Sequence, residues 1–267
     1  MSTVLPRARI PRVWVISAYL GAIAAAEVLT AYVNAEAGLA VHAVLLLVLL
    51  NHAMALGPLP IPPAGRMVSE PARVLVPVLA LLPLVRLFSL TMPTRSLSPL
   101  SWYLLIGAPL LTAVVLIARY IHYSPVDARI WGWSLQQGLM AATGIPLGII
   151  AYVAFHPVPA VKSHDIPYLI IGAGVVLVFL GLLEELIFRA LLQPYLCSLF
   201  GATRGVLITA AMSAVFISGS RSPLTMLFTF VVAAGYGWLV YTKRSIMGVA
   251  LSHGIIGIMT ILILPNL

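Results

Sequence analysis

Apolar residues run unbroken for about twenty positions at a time along this chain, and short polar segments separate the runs. A helix rising 1.5 Å per residue needs about twenty apolar positions to cross a hydrocarbon core of about 30 Å. A membrane β-barrel would instead show segments of about ten residues in which apolar and polar positions alternate. Nine runs fit the helical pattern: Val13 to Val33, Leu39 to Leu56, Val74 to Met92, Trp102 to Ile121, Ile130 to Phe155, Ile166 to Leu192, Val206 to Ser218, Leu224 to Tyr241 and Ile246 to Leu264. The pattern predicts an all-α fold, a multi-pass transmembrane helical bundle of about nine spans.

Breakers refine this reading. Pro58, Pro60, Pro62, Pro63 and Pro71 exclude a helix between Gly57 and Arg73, so a loop is expected there. The fifth run carries Gln136, Gln137, Gly138, Gly144, Pro146 and Gly148 and is expected to be interrupted. Phe228, Phe230, Gly235, Gly237 and Trp238 suit close helix packing in the eighth. Arg7, Arg9 and Arg12 ahead of the first run resemble the charged start of a signal peptide. That run is longer than a signal peptide's apolar region and contains Glu27, so it reads as a retained span.

Composition narrows the class further. Of 267 residues, 61% are hydrophobic and 8% charged, with a mean hydropathy of +1.08. A soluble domain carries roughly a quarter charged residues, so this chain is expected in a bilayer. The lone Cys197 excludes a disulfide framework within the chain. Fifteen Lys and Arg against seven Asp and Glu give a net charge of +8. No basic segment with interleaved aromatics lies outside the apolar runs, so the expected partner of this charge is the lipid bilayer and not nucleic acid.

Placing the N-terminus inside collects Arg7, Arg9, Arg12, Arg66, Arg73, Arg119, Arg129, Arg204, Lys243 and Arg244 on the cytoplasmic side. Only Arg95, Lys162 and Arg221 fall outside. This asymmetry predicts a cytoplasmic N-terminus and an outer C-terminus. Residues 1–165 would form five N-terminal helices and residues 166–267 a C-terminal core, joined in one membrane domain.

An ionisable group inside a span needs a partner or a function. Glu27 and Arg86 are expected to pair between helices or to snorkel, and His52 to pack at an interface. No HExxH, zinc-finger spacing or calcium loop is present, so no fixed metal site is expected and no cofactor is identified. Glu184, Glu185 and Arg189 stand together in the sixth run. Residues four apart share a helix face, so Glu185 and Arg189 can pair while Glu184 points elsewhere. The additional Glu184 would either bind another helix or face a polar cavity as a general base.

The segment Glu184-Glu185-Leu186-Ile187-Phe188-Arg189 resembles the EExxxR motif of the CPBP family, which comprises CAAX proteases and bacteriocin-processing enzymes and is also called the ABI family. The likeness continues from Gly235 to Gly248 and into Ser252-His253, similar to the family's last two helices with their HxxxN/D motif, and covers about the last hundred residues. It implies an intramembrane endopeptidase of a bacterial inner membrane acting on a membrane-tethered peptide. Glu184 would activate water, Glu185 and Arg189 would orient the centre, and His253 would stabilise the oxyanion. The family's FxxxH motif would begin at Phe216, but its histidine position is Ser220, and the final Asn or Asp position is Gly257. Ser220 or Arg221 would have to stand in for the lost histidine.

Two functions follow. One is a catalytically impaired member serving as a binding, scaffolding or accessory subunit among other membrane subunits. The alternative is an active glutamate-dependent endopeptidase. A transporter is disfavoured because no paired broken segments mark two matching halves. A serine hydrolase built on Ser252 and His253 is set aside because adjacent helical residues point about 100° apart, and Cys197 reads as packing.

Overall fold

A computed structural model describes residues 11–59, 61, 70–92, 97–123, 132–157 and 166–267. Among these residues all regular structure is helical, and nine helices are long and apolar enough to cross a membrane. They are α1 (Val13–Val33), α2 (Ala35–Ala55), α3 (Pro71–Thr91), α4 (Leu100–Tyr120), α5 (Leu135–Phe155), α6 (Ile166–Phe200), α7 (Ala202–Ser220), α8 (Pro223–Lys243) and α9 (Met247–Asn266). Pro60, Pro62 and Pro63 lie outside the described residues, as do Ile130 and the basic residues Arg7, Arg9, Arg66, Arg95, Arg129 and Lys162.

Local chemistry sets the helix ends. The side chains of Asn34, Ser134 and Ser222 accept the backbone N–H groups of Ala37, Gln137 and Thr225, capping α2, α5 and α8. Left-handed residues, His156 at φ 45° and Arg244 at φ 53°, end α5 and α8. As expected, α5 is interrupted: a turn at Thr143 divides Leu135–Ala142 from Gly144–Phe155, and Pro146 has no N–H to bridge the break. An interruption in α3 at Ala80 was not expected, although Pro83 signalled it by removing the donor that would reach Leu79.

The sixth span is longer than expected. At 35 residues α6 measures about 52 Å, and it serves as the common wall of the bundle. Its last turns meet α3 and α7, its middle meets α4 and α8, and its first half meets α9. The main apolar core lies where Ile16 and Ile23 of α1, Leu49 of α2, Leu75, Leu79 and Leu82 of α3 and Leu191, Leu192 and Leu196 of α6 are all fully buried. Small residues bring α6 and α9 together. A Cβ on Gly181 would meet the Ala250 carbonyl oxygen at 2.6 Å and the Gly254 backbone at 2.8 Å, so only glycine permits this approach.

Candidate functional site

Two π-helical turns, Leu177–Leu182 and Leu186–Leu192, enclose the short α-helical piece Leu183–Glu185 in the middle of α6. Such turns widen a helix and reset the direction of the side chains beyond them. Glu185 turns into the bundle with 0% of its side chain exposed, whereas Glu184 keeps 44% exposed. The two acids of one dipeptide therefore occupy different environments, as adjacent helical positions require.

Glu185 is held from both sides. Arg189 Nε lies 3.2 Å from its Oε2, realising the expected pairing four residues apart. His253 Nδ1, from α9, lies 3.0 Å from its Oε1. A carboxylate can only accept, so the ring proton belongs on Nδ1. His253 thereby turns Nε2 toward Glu184, at 3.7 Å from Oε2. That separation is too long for a direct hydrogen bond, yet a single water can bond both atoms. Arg189 also donates to Ser213 Oγ of α7 at 3.4 Å and to the Ala233 carbonyl of α8 at 3.3 Å. One guanidinium thus ties three helices around the acid pair.

Ser252 does not face this centre. Its buried hydroxyl lies 2.5 Å from Tyr236 Oη of α8 and 2.9 Å from Thr143 Oγ1, at the break in α5. Setting it aside as a nucleophile agrees with this geometry. No acid near His253 in sequence is placed to orient it, and Glu185 does so from another helix. Cys197 lies near the end of α6, its thiol directed at the Ala202 carbonyl at 3.5 Å, away from the acid pair.

The remaining expected residues lie elsewhere. Phe216 ends the α-helical part of α7, with its ring edge-on to Phe188 at 5.8 Å. Ser220 is exposed at the end of a 3-10 turn, and its Oγ accepts the Ser222 N–H at 3.3 Å. Arg221 donates through Nε to the Ala31 carbonyl of α1 at 2.7 Å. Among the described residues no hydrogen bond or ion pair joins Ser220 or Arg221 to Glu184 or His253. Gly257 is buried against α6, where a Cβ would stand 2.5 Å from Leu180 Cδ2 and 2.8 Å from Val176 Cγ1.

A second charged group lies across Phe216. Glu27 of α1 and Arg86 of α3 form a two-pronged pair, which bears out the interhelical alternative for both. His42 of α2 stands behind Glu27, with Nε2 at 3.4 Å from Oε1 and the side chain fully buried. The sequence expectations omit His42, although its place in the second apolar run was signal enough. His52 packs as expected, with Nδ1 2.8 Å from Tyr19 Oη. No group of three or more His, Cys, Asp or Glu able to hold a metal ion occurs among the described residues.

Chemically, the centre offers an open carboxylate beside an oriented imidazole, backed by a buried acid and a guanidinium. Residues 166–259 carry a domain that matches the family model described as Type II CAAX prenyl endopeptidase Rce1-like. The match contains both glutamates, Arg189, Ser220, His253 and Gly257. No curated protein and no solved structure matches the chain.

Proposed function

We propose that this Rce1-like membrane protein is catalytically impaired and serves as a binding, scaffolding or accessory subunit of a membrane assembly. The observation that carries this reading is Gly257. Hydrolysis of a peptide bond requires a base for water and donors aimed at the developing oxyanion. At the position where the resemblance implies an Asn or Asp there is no side chain, and Leu180 and Val176 fill the adjoining space. At the other lost position, the Ser220 hydroxyl serves its own turn. Removing one oxyanion donor costs roughly two to three orders of magnitude in rate, and two are absent here. Of the groups that the resemblance names for stabilising charge, His253 remains.

A second reading, an active CAAX-type endopeptidase, draws on the open Glu184 beside His253 Nε2. In that reading Glu184 takes the proton of a water that attacks the carbonyl carbon of a membrane-tethered peptide, while Glu185 and Arg189 fix the imidazole.

For location we propose a bacterial inner membrane, with the N-terminus cytoplasmic and the C-terminus outside, on the asymmetry of basic residues. Protease access to a C-terminal tag from the outer side checks that orientation. The accessory role is tested by extracting the chain from its own membrane in polymer nanodiscs. A fixed set of partner subunits in constant ratio is expected, and recovery of the chain alone would argue against the role.

A further inference from the structure

Two buried acid–base groups flank one aromatic pair in this fold, and the contacts between them form an unbroken series. Arg86 Nε donates to Glu27 Oε1 at 2.9 Å, and its terminal nitrogen reaches both Glu27 Oε2 and the Phe216 carbonyl, the latter at 2.8 Å. That carbonyl lies at the C-terminal end of an α-helix, where backbone acceptors lack intrahelical donors. The guanidinium carbon of Arg86 also stands 5.4 Å from the centre of the Phe216 ring. Phe216 meets Phe188 at an interplanar angle of 77°. Arg189 lies 5.9 Å from the centre of the Phe188 ring. Arg189 in turn pairs with Glu185, which holds His253.

We propose that Arg86, fixed by Glu27, is a positioning residue for the Glu185–Arg189–His253 centre and acts through Phe216 and Phe188. A pair needed only to neutralise two charges in the bilayer would require neither the Phe216 carbonyl nor its ring. Here the same guanidinium engages both, so it sets the height and tilt of the last turn of α7. Phe188 fits edge-on against that turn, and the offset contact constrains the ring on which Arg189 rests. Helices α1 and α3 lie outside the Rce1-like match, which makes this a contribution of the N-terminal helices to the C-terminal centre. The role is independent of whether the centre hydrolyses peptides.

The test uses the full chain in nanodiscs with 15N-labelled arginine and histidine, reading the Arg189 Nε–H and His253 ring-nitrogen signals. Arg86→Leu and Phe216→Leu are each expected to move both sets of signals by more than a linewidth. Phe216→Tyr, which keeps the ring, should leave them in place. Phe216→Leu retains the Glu27–Arg86 pair and decides the question if Arg86→Leu fails to fold. A folded Phe216→Leu protein with Arg189 and His253 signals superimposable on those of the wild type overturns the proposal.

Discussion

Replacing Arg189 with leucine is expected to destabilise the protein by about 3–5 kcal/mol, the cost of leaving one charge of a buried pair without its partner. Glu185 is fully buried, and without Arg189 its carboxylate would keep only the His253 contact. The same substitution removes the donors to Ser213 of α7 and to the Ala233 carbonyl of α8, loosening two neighbouring helices at once. Glu184→Gln provides the contrast. Glu184 is half-exposed and its nearest charged neighbour is 3.7 Å away, so the change should stay within about 0.5 kcal/mol. Unfolding measured by steric trapping in bicelles reads both variants. Equal losses would mean that Arg189 does not carry the cluster.

The second large effect is expected at Gly181. A valine there would drive its Cβ into the Ala250 carbonyl oxygen and the Gly254 backbone, and backbone atoms cannot turn aside as a flexible side chain can. Overpacking of this kind costs about 1–3 kcal/mol, with larger losses where the neighbours are rigid. The displacement would also draw α9 from α6 and separate His253 from Glu185. Gly235→Ala in α8 is the matched control, since nothing lies within 4 Å of its added Cβ. It should be neutral, or more stable by up to about 1 kcal/mol through helix propensity. Loss of equal size at both positions would refute the close approach of α6 and α9.

The sequence made some of this architecture legible for definite physical reasons. Continuous apolar runs mark helices in lipid whatever their partners, so all nine spans could be placed, most within a few residues of their observed ends. The pairing of Glu185 with Arg189 followed from helical periodicity alone, and the break in α5 from its glycines and Pro146. Other features depend on which helices meet. The partner of His253 is Glu185, sixty-eight residues earlier, and no local pattern announces it. The same holds for Arg86 binding the Phe216 carbonyl. The π-helical turns beside Glu184 leave no composition signal, and the first of them, Leu177–Leu182, packs against α9. The extension of α6 to Phe200 was not expected, because the apolar run ends at Leu192, ahead of Gln193 and Pro194. Gly257 was visible as a missing Asn or Asp, but only the packing shows Leu180 and Val176 occupying the space beside it.

The central claim is that a Glu184–His253 pair persists where the groups for stabilising an oxyanion do not. Its most direct test is hydrolysis of membrane-tethered prenylated and unprenylated peptides in H2(18)O by the purified chain in proteoliposomes, with mass spectrometry of the new carboxyl termini. No 18O-labelled product is expected from the wild-type chain above the level of Glu184→Gln. Labelled product that forms with the wild type and disappears in Glu184→Gln would contradict it and identify a working glutamate-dependent endopeptidase.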